Sequence, residues 1–174
     1  MNEITLENTC CFTGHRAVKL PWRYNEDDPD CRILKAVIDD LLTEAYAAGY
    51  RHFICGMATG IDTYFGEAVA ALRTDHPDIT LEAAIPFPGQ EARFPKAQRE
   101  RYARLRDACD TVTMLHEEKT SDCMMHRNRY MVDRSSLLIA VYDGKHGGTW
   151  NTVRYAEKQG RTVVVLPVTG LETV

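Results

Sequence analysis

At 174 residues the chain has the length of one domain and can bury a core without disulfides or a structural metal. Hydrophobic residues at 44% and charged residues at 26% lie near the averages for globular proteins, which argues against disordered and fibrous classes. A formal net charge of −4 disfavours wrapping of long nucleic acid, because that mode of binding rests on neutralising many phosphates.

The chain alternates short apolar or β-branched runs with longer runs of helical period, the grammar of βαβ units around a parallel sheet. The first strand is expected at 9–13 (TCCFT). An irregular stretch, 14–29, follows it directly. Loops of this length inside a compact domain usually carry function, and a loop leaving a strand's carboxyl end faces the ligand crevice of a doubly wound sheet. The stretch therefore reads as a flap, with Trp22 or Tyr24 able to cover a base. The alternative is that these aromatics pack the loop down.

A helix is expected after Asp30 as N-cap, with Leu34, Ile38, Leu41, Ala45 and Ala48 on one face and Gly49 as its stop. A strand at 51–55 leads into Gly56-Met57-Ala58-Thr59-Gly60-Ile61-Asp62. A helix opens at Gly60, places Ile61, Phe65, Ala68, Val69 and Leu72 inward, and ends before Pro77. The strand at 79–85 ends in Pro86-Phe87-Pro88-Gly89-Gln90. A third helix runs from near Pro95 to about Cys109, with Tyr102 and Leu105 inward. Arg93, Lys96, Arg99, Arg101, Arg104 and Arg106 make that region basic. It reads as a solvated face, with an anionic partner as the alternative.

After a strand at 111–115, a fourth helix covers roughly 121–134. Met124, Met131 and Val132 are expected against the sheet, with Arg127 and Asn128 on the crevice side. Arginine offers a planar fork suited to phosphate or carboxylate. A strand at 136–142 hands over to Asp143-Gly144-Lys145-His146-Gly147-Gly148-Thr149. A fifth helix follows Gly148, and a last strand lies at 162–166. The fold class is α/β: a Rossmann-like three-layer sandwich with a mostly parallel sheet of about six strands, in a single domain covering 1–174.

Glycine at a strand-to-helix turn lets backbone approach a phosphate, and the free N–H groups and dipole of the helix start favour an anion. Thr13-Gly14-His15-Arg16, Gly56 to Asp62 and Gly144 to Thr149 share this placement. None is a G-x-G-x-x-G or a Walker loop. Asp62 either complements the helix dipole or accepts from a ribose hydroxyl or base. The six histidines form no H-E-x-x-H and no zinc-finger pairing with cysteine, so no metal is predicted, and no G-x-S-x-G elbow suggests serine hydrolysis. The six cysteines, Cys10, Cys11, Cys31, Cys55, Cys109 and Cys123, lack a C-x-x-C and are expected as reduced, structural thiols. With neither a signal-peptide pattern nor a long apolar run, a cytoplasmic location and no membrane partner are expected.

Thr13-Gly14-His15-Arg16, Lys19-Leu20-Pro21-Trp22, Gly56 to Asp62 and Arg127-Asn128-Arg129-Tyr130-Met131 together resemble the YpsA-like branch of the SLOG superfamily. The resemblance runs from about residue 9 to 167. It implies a Rossmann-like fold holding a nucleotide or nucleotide-derived ligand, with no settled biochemical activity. Gly56 to Asp62 and Gly147-Gly148-Thr149 also resemble loops of DNA-processing protein A, a relative that binds single-stranded DNA. His126, Arg127, Asn128 and Met131 partly echo the lonely-guy phosphoribohydrolases, which cleave a nucleoside monophosphate. Where that family has a loop glutamate, this chain has Thr152, which counts against the same hydrolytic mechanism.

The leading expectation is binding or sensing of a nucleotide-derived small molecule by Thr13, Gly14, His15, Arg16, Gly56, Thr59, Gly60, Asp62, Arg127, Asn128, Gly147, Gly148 and Thr149. The first alternative is N-glycosidic hydrolysis, with Arg127 steadying phosphate and Asp62, Glu67 or Asp143 supplying a carboxylate. The second is single-stranded nucleic-acid binding. A homodimer is expected by analogy with relatives.

Overall fold

The computed structural model describes residues 2–172. Six strands, β1 (Thr9–Gly14), β2 (His52–Cys55), β3 (Thr80–Ile85), β4 (Thr111–Met114), β5 (Leu137–Val141) and β6 (Thr162–Leu166), form one sheet in the order β4-β3-β2-β1-β5-β6. Every pairing is parallel. Five helices link them: α1 (Pro29–Ala47), α2 (Ile61–Asp75), α3 (Lys96–Ala108), α4 (Cys123–Asp133) and α5 (Gly148–Lys158). Short 3-10 helices occupy Ala17–Lys19 and Gln90–Arg93.

The two-residue period of a strand sorts its side chains between the layers. On β1, Cys10 and Phe12 join the core under α1 and α2, with Leu34, Ile38, Leu42, Ile61, Phe65 and Val69. Phe12 stacks on Phe65 with ring centroids 4.3 Å apart. Cys11, between them, enters the opposite core with Met131 and Val132 of α4 and Val153 and Ala156 of α5. Strands covered on both faces read as unbroken apolar runs, and LLIAV of β5 is buried throughout.

The first helix starts two residues earlier than its sequence signal suggests. Asp28, not Asp30, is the N-cap, and its Oδ1 accepts the Asp30 amide at 2.9 Å. Pro29 fits between them because the first helical N–H has no intrahelical partner to lose. The inward face is accordingly Leu34, Ile38, Leu42 and Ala45, with Leu41 only partly buried and Ala48 exposed. Gly49 ends the helix at φ +105°.

All six cysteines are free thiols, and five are buried. Among the described residues no helix is long and apolar enough to cross a membrane.

The chain winds outward from β1 through β2, β3 and β4, then returns across the sheet to β5 and β6. Neighbouring β1 and β5 therefore send their following loops in opposite directions, and a crevice opens between them at the carboxyl ends.

Candidate functional site

A cleft of about 580 Å³ occupies that switch point. Its first wall is Thr13, Gly14, His15 and Arg16, from the end of β1 and the turn beyond it, continued by Val18 and Lys19. Ala58 and Asp62, from the β2–α2 turn, reach it from one side, and Met124, Arg127, Asn128 and Met131 of α4 reach it from the other. Asp143, Lys145, His146, Gly147, Gly148 and Thr149 close it from the β5–α5 connection.

At the base, Asp62 and Arg127 are both nearly inaccessible. Burial pushes the Asp62 carboxyl above the usual carboxylate range, while Arg127, the Ala58 amide at 3.1 Å and Arg16 partly restore its charge. Burial likewise holds the Arg127 guanidinium below its usual range, against the pull of Asp62. Arg127 lines the cleft as its helical position predicts, but it does not present an open fork. Instead its Nη1 donates to the Gly56 carbonyl, its Nε donates to Asn128 Oδ1 at 2.9 Å, and only part of the fork is left for the cleft.

The α5 end of the cleft is built differently. Gly147 is the N-cap, and no side chain caps the helix. Thr13 and Thr149 are largely buried residues that line the cleft, and their hydroxyls have no hydrogen-bond partner among the described residues. Arg16, Lys19 and Lys145 bring exposed cations to the rim. Uncapped helix amides, idle hydroxyls and cations are together the donor set an anion requires.

His15 Nε2 lies 3.2 Å from the Asp143 amide nitrogen and 3.3 Å from Asp143 Oδ1, tying the β1 and β5 loops together. The Asp143 carboxyl is held below its usual range by the Lys145 amide, with His15 and Lys145 adding to this against desolvation.

Four expected site residues fall outside the lining. Gly56, Thr59 and Gly60 lie behind the wall, where they pack the β2–α2 turn against its neighbours. A Cβ on Gly56 would sit 2.6 Å from Arg127 Nη1, and one on Gly60, at φ +81°, would sit 2.6 Å from the Ala17 nitrogen. The Thr59 hydroxyl accepts from the Ala17 amide at 3.4 Å, and the Ile61 amide donates to the His15 carbonyl at 3.2 Å. The amides of Met57, Ala58 and Ile61 donate to protein acceptors and the turn's glycines pack against neighbouring residues behind the cleft wall, which corrects its reading as a phosphate cradle. Glu67 is the fourth: it accepts from Arg101 Nε at 2.9 Å, away from the cleft.

The 14–29 stretch is tied down at its centre. Trp22 is buried, and its indole N–H donates to the Tyr64 hydroxyl at 3.0 Å. Glu26 accepts from Arg101 Nη2 at 2.9 Å. Trp22 is therefore a packing residue, and Tyr24 lies exposed away from the cleft lining.

Lys19, Lys145 and His146 line the cleft without having been singled out as ligand residues, although each sits in a segment whose placement pointed there. Val18, Ala58 and Met124 carried no chemical signal. Thr152, where the phosphoribohydrolase resemblance expects a glutamate, spends its hydroxyl on the Gly148 carbonyl at 2.9 Å. Burial pushes the Cys11 thiol up to about 12, and the Cys55 thiol is also raised, so neither supplies a thiolate at neutral pH.

An all-parallel sheet with helices on both faces and a cleft at its switch point defines an α/β protein of Rossmann-like architecture. The chain belongs to the YpsA family, described as the YspA SLOG family, whose model matches residues 10–164. It is 35% identical over 137 residues to the SPbeta prophage-derived protein YoqJ of Bacillus subtilis (strain 168), covering 72% of this chain and 78% of that one. It is 24% identical over 158 residues to a UPF0398 protein of Bacillus pumilus (strain SAFR-032), covering 90% of this chain and 83% of that one.

Two solved structures share the fold. DNA processing protein A from Streptococcus pneumoniae superposes with a TM-score of 0.63 at 22% identity, over 94% of this chain and 52% of that chain. The Helicobacter pylori protein of the same name, whose structure concerns its single-stranded DNA binding mode, gives 0.60 at 20% identity, over 91% of this chain and 65% of that chain. This chain thus spans about half of the pneumococcal protein.

Proposed function

We propose that the switch-point cleft binds a nucleotide or nucleotide-derived small molecule, with a phosphate seated at the start of α5. The observation that carries this is the pair of unpaired hydroxyls, Thr13 and Thr149, lining a cleft beside an uncapped helix N-terminus. Free of protein partners and open to the cleft, these hydroxyls can donate to a ligand phosphate without breaking a hydrogen bond of the fold. Arg16, Lys19 and Lys145 add charge pairing at the rim, while Asp62 offers an acceptor for a hydroxyl or amino group deeper in. Membership of the SLOG family supports the reading.

Binding without turnover is the form favoured here. A hydrolytic role would need a carboxylate at the reacting bond, and Glu67 is removed from the cleft while Thr152 offers none. Asp62 and Asp143 are the carboxylates left to such a role.

The test is thermal unfolding of the full chain against nucleoside monophosphates, NAD, ADP-ribose and a short single-stranded oligonucleotide, with Arg16→Ala in parallel. A ligand at 100 times its dissociation constant adds about 2.7 kcal/mol. Stabilisation by a small nucleotide that Arg16→Ala weakens is the expected result, and no stabilisation by any of them overturns the proposal. A second reading, single-stranded nucleic acid, is favoured by exposed Lys96, Arg99, Arg104 and Arg106 on α3 and by the DNA-binding neighbour. It requires stabilisation by the oligonucleotide alone, falling steeply with salt.

A further inference from the structure

We propose that His116 and His126 form a binding site for a divalent transition-metal ion of the zinc class, separate from the cleft. Among the described residues no group of three or more His, Cys, Asp or Glu is placed to hold a metal ion. A site of two imidazoles completed by water falls outside that count, and the pair has the geometry for one.

His116 lies two residues beyond β4, and His126 lies in the first turn of α4. His116 Nε2 and His126 Nδ1 approach to 3.1 Å, with ring centroids 5.0 Å apart. Two nitrogens bound to one tetrahedral ion at about 2.05 Å are separated by roughly 3.3 Å, so the observed pair needs to open by only a few tenths of an ångström. The other nitrogen of His126, Nε2, lies 3.2 Å from Asp122 Oδ2, and Asp122 Oδ1 accepts from the Thr120 hydroxyl at 2.8 Å. With that carboxylate accepting from Nε2–H, the Nδ1 lone pair faces His116, whose Nε2 would join it on the ion once the His116 proton sits on Nδ1. A carboxylate behind a histidine is the outer-shell arrangement that orients metal-binding imidazoles and raises their basicity.

The ligand chemistry selects the ion. Imidazole suits Zn2+, Ni2+ and Cu2+, whereas Mg2+ and Ca2+ prefer oxygen. His126 and Asp122 have side chains 44% and 48% exposed, so an ion and its waters reach the pair from solution. An ion held here would join the connection from β4 to the first turn of α4, immediately before Arg127.

The test is calorimetric titration of the folded, untagged full chain with Zn2+ alone, beside His116→Ala, His126→Ala and Asp122→Asn. One Zn2+ per chain is expected, with at least tenfold weaker binding in each histidine variant. Asp122→Asn should weaken it by about 10–100-fold. In a second measurement, Zn2+ should slow tryptic cleavage after exposed Lys119 in the wild type and not in His126→Ala. A wild type that takes up no Zn2+, or histidine variants that bind it as tightly as the wild type, overturns the proposal, whatever the cleft binds.

Discussion

The indole nitrogen of Trp22 donates to the hydroxyl of Tyr64 at 3.0 Å, fastening the long connection after β1 onto helix α2. Both side chains are buried, and burial raises the Tyr64 hydroxyl well above its ordinary range. The connection is thereby a wall of the domain, with only its first turn bordering the cleft.

Trp22→Ala should therefore cost about 3–5 kcal/mol, the usual range for emptying a buried aromatic site. Trp22→Phe keeps most of the packing but removes the donor, and should cost about 1–3 kcal/mol. Urea denaturation of the two variants checks both values. A Trp22→Ala protein as stable as the wild type would return this residue to the role of a mobile cover.

Glycines on the two sides of the cleft should respond in opposite ways. Gly60 has φ +81° and backbone atoms of residues 15 to 17 within 3 Å of any added Cβ, so Gly60→Ala should destabilise by about 3 kcal/mol or more. Gly148 has nothing within 4 Å of that position. Gly148→Ala should leave stability unchanged or raise it by up to about 1 kcal/mol, while weakening any ligand seated at the start of α5. Thermal melts with and without the stabilising nucleotide read both effects.

Glu82 on β3 should make the fold acid-sensitive. Its carboxylate is buried and accepts from Thr113 Oγ1 at 2.8 Å and the Tyr130 hydroxyl at 2.5 Å, with His52 Nε2 at 2.8 Å. Desolvation alone would raise its pKa, but the hydrogen bonds from His52, Tyr130 and Thr113 outweigh it and the net shift is downward from 4.5. A depressed carboxyl contributes stability that is present above its unfolded value and lost as pH falls through the lower folded value. Glu82→Gln should cost about 1–3 kcal/mol at pH 7 and progressively less below pH 4.5. Denaturation curves collected from pH 7 downward test this, and a constant gap between the two proteins would contradict the linkage.

Arg101 should act as a clamp. It donates to Glu67 on α2 and to Glu26 in the connection after β1, and its side chain is 15% exposed. Arg101→Ala should lower stability by about 1–3 kcal/mol and hasten proteolysis around exposed Arg23. Glu67→Gln should leave nucleotide stabilisation intact, because Glu67 lies outside the cleft. Loss of ligand response in Glu67→Gln would restore it as a candidate in the chemistry.

The sheet was legible because its signal is local. Each strand shows as an apolar run, each helix as a period of 3.6, and their alternation dictates a parallel arrangement with the functional loops at one end. Asp28 was hidden behind Asp30 only because both are good caps and Pro29 separates them. The cleft's outline was legible for the same reason: Thr13 to Arg16 and Asp143 to Thr149 each follow a strand that could be recognised by itself.

What the sequence determined by itself was therefore the element order, the layer architecture and the end of the sheet that carries the cleft. These depend on periodicities that backbone geometry imposes over a few residues. The tertiary structure decided that Trp22 packs, that Gly60 makes room for a neighbouring loop, that Glu67 turns away and that Arg127 spends much of its fork on the protein. Each of those outcomes is set by a partner remote in the chain, as Trp22 and Tyr64 are 42 residues apart and Gly56 and Arg127 are 71 apart. A side chain's local pattern fixes the face it occupies, but only the packed fold determines which donor, acceptor or ligand meets it there.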